Sequence, residues 1–269
     1  MSFLPKKIYF HHSQNRMNDE GNILAAREYF FKKKNKNLFY LLKNRFSWMN
    51  NFINDEDNII ELGCGPAFVK EFINNKNFKT SDIMKDNFID LKGVDAINTG
   101  LADNSYSVVI SSNLIHHVAH PMKLFNEVHR ILKPGGNYII QDVNLSYMFQ
   151  LIILLMRIEG YDKTIDILNE EIPCNDIDDP WSGNNAIPNL IFDNFAQFNS
   201  RLGNKFELVH SKKSEFLVFL NSGGVIAKTF YIPLNDLLNK LIIRFDNQLT
   251  RLHNIFALQQ SVVLKKTKN

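Results

Sequence analysis

The chain of 269 residues contains only two cysteines, Cys64 and Cys174. They are too few for a disulfide framework and lack metal-ligand spacing, so a reducing compartment, the cytoplasm, is the expected home. Long hydrophobic runs are also absent. The longest, MFQLIILLM at 148–156, reaches about half of the roughly 20 residues that a membrane-spanning helix needs. The opening MSFLPKKIYFHHSQN lacks the apolar core and cleavage site of a secretory signal. Charge of one sign is nowhere concentrated, since 31 basic against 28 acidic residues leave a formal net charge of +3. The one basic run, Lys32, Lys33, Lys34 and Lys36, reads as a solvated helix face, and no nucleic-acid partner is expected. No repeat or linker divides the chain, so a single domain over 1–269 is expected.

What the sequence does contain is a change of hydrophobic period. Residues 23–53 carry Leu38, Leu41, Leu42, Phe46, Met49 and Phe52 at helical spacing, which predicts a helical preface over 1–56. NIIEL at 58–62 is a short buried-strand pattern ended by glycine, and AFVKEFI at 67–73 predicts a helix. NFKTSDI at 77–83, YSVVISS at 106–112 and NYIIQDV at 137–143 predict strands, with an amphipathic helix over 120–132 between the last two. Alternation of this kind over 57–145 implies a parallel sheet with ligands bound along the carboxyl ends of its strands. Beyond 145 the expectations are helices over 146–170, 190–202 and 235–255. Strands are expected at KFELVHS, SEFLVFL and the closing ALQQSVVLKK.

Glu61, Gly63 and Gly65 end the first strand in a turn cleared of side chains, where a ligand can touch the main chain. Asp82 follows about 20 residues on, at the end of the second strand, placed to receive ribose hydroxyls. Asp95 precedes the next strand and can accept an adenine amino group. Phe68 stands where a dinucleotide fingerprint has its last glycine, and no second phosphate-cradling loop appears.

The succession IELGCGP, SDI, VDAINTGLADNSYSVVISSNLIHHV and EVHRILKPGGNYIIQD resembles the class I S-adenosylmethionine-dependent methyltransferases, in particular the bacterial branch that treats small molecules, lipids and sugars. The resemblance covers residues 55–145. It implies an α/β, Rossmann-like fold: a mostly parallel seven-stranded sheet with helices on both faces and an antiparallel closing strand. It also implies S-adenosyl-L-methionine as cofactor. Glu61, Gly63 and Gly65 then lie under its methionine and ribose parts, and Asp82 holds the ribose. Asp95 with Ala96 borders the adenine, and Ser112 lines the methionine end. Two departures are visible. Ala67 stands where a third glycine is common, and Ser107 replaces the usual acid of the third strand.

A sulfonium methyl is already activated, so the protein must align a nucleophile and exclude water. His116 and His117, in SSNLIHHVAHP, are the candidate general bases for a hydroxyl acceptor, with a purely structural place in the turn as the alternative. His11 and His12, with Tyr9, fall in a segment that often forms a lid in this superfamily. Asp142 and Asn144 are expected to face the acceptor. No converging set of oxygen ligands is visible, so no metal is expected. Trp181, Asn184 and Asn185 in DDPWSGNNAIP suit a sugar ring. That stretch and FLNSGGV at 219–225 resemble methyltransferases of bacterial surface-polysaccharide or secondary-metabolite pathways, which implies a small-molecule or glycan acceptor read by residues 146–269. Two other readings stand beside this one. One is a membrane-surface lipid methyltransferase, suggested by MFQLIILLMRIEG and LLNKLIIRFDNQL. The other is a catalytically silent cofactor-binding module.

Overall fold

The continuous apolar runs become buried strands. A computed structural model describes residues 4–10, 14–16, 21–178 and 182–267. Its main sheet comprises β1 (Ile59–Leu62), β2 (Phe78–Asp82), β3 (Leu91–Lys92), β4 (Tyr106–Ser112), β5 (Leu132–Val143), β6 (Phe206–Ser214) and β7 (Gln259–Lys266). The spatial order is β3-β2-β1-β4-β5-β7-β6. The first five strands are parallel, while β7 runs antiparallel between β5 and β6. The α/β, mostly parallel seven-stranded expectation therefore holds. The chain moves outward from β1 to β3 and then returns to β4 on the other side of β1, so the carboxyl ends of β1 and β4 flank a crevice.

Two helical layers cover the sheet. On one face pack α1 (Ile23–Lys33) and α2 (Lys36–Phe46), separated by Lys34 in the left-handed region. The Asn35 side chain caps α2 by accepting from the N–H groups of Asn37 and Leu38. Leu38, Leu41, Leu42 and Phe46 of α2 share a core with Ile59, Val108 and Ile110 of the sheet. On the other face α3 (Pro121–Ile131) buries Met122, Phe125, Val128 and Ile131 against Ile60, Val109 and Tyr138, as its spacing predicts. Helix α4 (Tyr147–Met156) leaves the end of β5. Short α5 (Ile187–Phe192) and α6 (Phe195–Arg201) continue the α3 layer. Helices α7 (Leu217–Leu220) and α8 (Asp236–Leu249) pack beside α2.

Three expectations fail for local reasons. Residues 67–73 form no α-helix, only a 3-10 turn at Val69–Glu71. Asn50 stops the segment by donating to the Phe72 carbonyl at 2.8 Å and accepting the Asn74 N–H at 3.0 Å. The helix expected over 146–170 ends at Met156, with Arg157 left-handed. The chain then crosses to Tyr161–Asp162, which pair with Lys7–Ile8 in a two-stranded ribbon. A Cβ on Gly160 would lie 2.0 Å from the Ile8 carbonyl oxygen, so only glycine admits that approach. SEFLVFL is not a strand. Glu215 is left-handed at φ 63°, and the Asp246 carboxylate accepts the N–H groups of Phe216 (2.9 Å) and Leu217 (2.8 Å), which caps α7 instead.

Candidate active site

At the carboxyl end of β1 the backbone turns through Gly63 (φ 64°) and Gly65 (φ 50°), both in the region that favours glycine. The Gly65 N–H donates to Asp82 Oδ2 at 2.9 Å, while Asp82 Oδ1 accepts the Met84 N–H at 3.0 Å. A Cβ added to Gly65 would meet nothing within 4 Å, so the turn presents bare main chain to open space. Ala67, where a third glycine was looked for, is itself left-handed at φ 55°. Alanine holds that conformation at a cost of about 1–2 kcal/mol. The helix N-terminus expected here does not form, and the Gly65 N–H serves Asp82 instead.

Glu61 is fully buried beneath this turn, and neither carboxylate oxygen has a hydrogen-bond partner among the described residues. Burial, and then the neighbouring Asp82 charge, pushes its carboxyl well above the usual range. A buried acid without a partner beside a cavity is a place prepared for a cationic group.

Asp95 and Ala96 lie on the rim of the same crevice. Asp95 Oδ1 accepts the Ile97 N–H at 3.0 Å, and Asp95 pairs with Asn98. The loop behind them is anchored by Glu127 of α3, which accepts from the Thr99 N–H at 2.7 Å and from Arg130. Burial alone would raise the Glu127 carboxyl, but Arg130 and Thr99 together hold it at about 2. The ordinary value for Glu is near ~4.3, so the contribution is fully present above that pH and is lost as pH falls toward about 2. Glu127→Gln is expected to cost about 2 kcal/mol at pH 7. The gap from the unaltered protein should close between about pH 4.5 and 2 in urea melts.

Ser112 closes β4, and the 3-10 turn Ile115–His117 follows. Asp142, at the end of β5, fixes that turn. Its carboxylate accepts the Ile115 N–H at 2.8 Å and lies 2.6 Å from His116 Nδ1. His117 Nδ1 donates to the Ser182 carbonyl at 3.1 Å. The two rings lie 4.2 Å apart, and both Nε2 atoms approach Glu159, at 3.5 Å from His116 and 3.8 Å from His117. Burial disfavours charge on His116, but Asp142 and Glu159 outweigh it and raise that ring to about 10. On His117 burial prevails and lowers the value.

One cavity of about 730 Å³ joins all nine candidates: Glu61, Gly63, Gly65, Asp82, Asp95, Ala96, Ser112, His116 and His117. Much of its wall is apolar, formed by Phe149, Ile152 and Leu155 of α4, by Phe219 of α7 and by Val225 and Ile226 beyond it. Cys64 also lines it, but burial raises its thiol far above the range in which a thiolate would form.

Other expectations are corrected. Asp142 stands behind His116, and Asn144 spends its amide on the Ala257 carbonyl at 2.7 Å. Asn184 and Asn185 are buried and serve the backbone of Asp162, Glu159 and Gly160. Both hold the loop, and only Asn185 also lines the cavity described above. Tyr9 is half exposed, while His11, His12 and Trp181 lie outside the described residues. Glu159 was missed altogether. Its only signal is a lone acid between an apolar run and Gly160.

Residues 60–140 match a family model described as a methyltransferase domain. The fold resembles the crystal structure of a SAM-dependent methyltransferase from Archaeoglobus fulgidus, with a TM-score of 0.50 at 17% identity. That alignment covers 88% of this chain and 99% of the other. A highly reducing polyketide synthase, aurA, of Calcarisporium arbuscula is 33% identical over 67 residues, a quarter (25%) of this chain. The match spans only 3% of that synthase. Residues 60–140 are thus similar to a methyltransferase domain and the fold to that of a SAM-dependent methyltransferase, a likeness that implies S-adenosylmethionine as cofactor. The residues present fit it, since the partnerless Glu61 suits a cationic ligand and the bare Gly65 main chain admits close approach.

Proposed function

We propose that the protein transfers the methyl group of S-adenosylmethionine to a small molecule with an apolar body and a polar head, the receiving atom being a hydroxyl oxygen. The cavity carries this reading, because it runs without a break from Glu61 and Gly65 to an apolar wall that ends at His116, His117 and Glu159. In this assignment Asp82 receives the ribose hydroxyls, Asp95 and Ala96 border the adenine, and Ser112 faces the methionine part. Glu61 lies nearest the ammonium. Bound cofactor supplies an activated methyl group, while the chain's residues orient the acceptor and keep water out.

An apolar body is favoured over a glycan because the cavity's lining is mainly apolar and the Asn184 amide is spent on the backbone of Asp162. The membrane-surface variant draws support from Leu237, Leu241 and Phe245, which are exposed on one face of α8. No described helix is long and apolar enough to cross a membrane.

The test is incubation with methyl-labelled cofactor and a fractionated cell extract, followed by mass analysis of what gains the label. Label in a solvent-extractable compound is the expected result, and recovery from the vesicle fraction alone would select the membrane variant. Cofactor binding without transfer to any fraction would leave a silent module. Failure to bind the cofactor or its demethylated product would overturn the reading.

A further inference from the structure

We propose that His116, His117 and Glu159 hold one divalent first-row transition-metal ion at the acceptor wall, with its remaining positions open to the cavity. The inference rests on the reading of that cavity as the acceptor site.

Three observations converge. First, one ligand atom from each residue lies within 4.8 Å of the others, and the carboxylate spans the two rings, with Oε2 3.5 Å from His116 Nε2 and Oε1 3.8 Å from His117 Nε2. Bonds of about 2.0–2.1 Å at tetrahedral angles set neighbouring ligand atoms roughly 3.3–3.4 Å apart, so rotation of the side chains inward from a spread of at most 4.8 Å completes the site. Second, both rings are oriented as metal-ligating histidines are. His116 Nδ1 faces the Asp142 carboxylate at 2.6 Å and His117 Nδ1 faces the Ser182 carbonyl at 3.1 Å. Partners of this kind keep a proton on Nδ1, so a metal ion that displaces the Nε2 proton meets a lone pair there. Third, the Glu159 carboxylate faces both rings, so its negative charge favours a cation, whether a proton or a metal ion, between it and the imidazoles. The fold also clears room, since a Cβ on Gly183 would fall 2.6 Å from Glu159 Oε2.

Two imidazoles and one carboxylate suit zinc, iron or cobalt rather than magnesium or calcium, which prefer all-oxygen sets. No metal is expected from the sequence, which shows neither cysteines at ligand spacing nor a converging set of oxygen ligands, whereas this set is mainly nitrogen. An acceptor hydroxyl on the ion would ionise more readily, its proton leaving to solvent. Its oxygen then forms the new bond to carbon as the sulfonium's carbon–sulfur bond breaks, leaving a neutral thioether.

The test uses the full chain, stripped with chelator and titrated with Co(II) and Zn(II) by calorimetry and visible absorption. One equivalent should bind at micromolar concentration or tighter, with Co(II) bands of a low-coordinate site. Asp142→Asn should weaken binding by about 10- to 100-fold through His116. Glu159→Gln and His117→Ala should weaken it further while leaving binding of S-adenosylhomocysteine unchanged. Glu159→Gln keeps size and shape, so retained cofactor binding with lost metal isolates the site from folding. No metal uptake, or uptake that the variants leave as it was, overturns the proposal and leaves an imidazolium held between two carboxylates. Absence of S-adenosylhomocysteine binding in the unaltered chain would instead overturn the methyltransferase reading.

Discussion

Asp82→Ala is expected to weaken binding of S-adenosylmethionine by about 2–4 kcal/mol, or roughly 30- to 700-fold in Kd. In the proposed role its carboxylate accepts from both ribose hydroxyls, and each charge-assisted hydrogen bond is worth about 1.5–3 kcal/mol. The side chain has a second task. It accepts the N–H groups of Gly65 and Met84, so removing it also loosens the turn over which the cofactor would lie. Asp82→Asn keeps an acceptor oxygen and the shape and should lose less. Titration calorimetry with S-adenosylhomocysteine separates the two variants. Equal affinity for Asp82→Ala and the unaltered chain would remove Asp82 from the binding site.

A stability effect of similar size should follow from Arg45→Met. Arg45 and Glu215 form a bidentate ion pair with side chains 2% and 0% exposed, and the Arg45 Nε lies 3.0 and 3.1 Å from the two carboxylate oxygens. Removing one member strands a buried charge, which costs about 3–5 kcal/mol. A chain of this size should then melt roughly 8–15 °C lower. The double variant Arg45→Met with Glu215→Met should recover most of that loss, because a buried pair of this kind is often matched by apolar groups of similar volume. Urea unfolding of the single and double variants measures the coupling. A double variant no more stable than Arg45→Met alone would show that the pair contributes more than charge balance, such as the left-handed bend at Glu215 that lets α7 begin.

The glycine turn and acids of the proposed cofactor half were legible as one cluster because each part leaves a local trace. Buried parallel strands are continuous apolar runs, a left-handed turn takes glycine, and an acid at a strand end stands out against Ile and Val. Glu61, Gly63, Gly65 and Asp82 each carry such a mark. The acceptor half was not legible, because its geometry is made by contacts far apart in sequence. Nothing near Glu159 announces that the ribbon to Lys7–Ile8 and the clearance at Gly183 will bring it against two histidines. Asn184 misled for a related reason. An amide looks the same in sequence whether it meets a ligand or a backbone carbonyl, and here it meets the backbone. The helix expected after Gly65 failed because apolar spacing does not report that Asn50, on a distant turn, will take up the groups needed to prolong it.

Glu61 has one more consequence. Burial raises its carboxyl and so favours the protonated form, and in the proposed role a cationic cofactor facing it favours release of that proton. Affinity should then strengthen as pH rises, and the heat of uptake should depend on which buffer receives the proton.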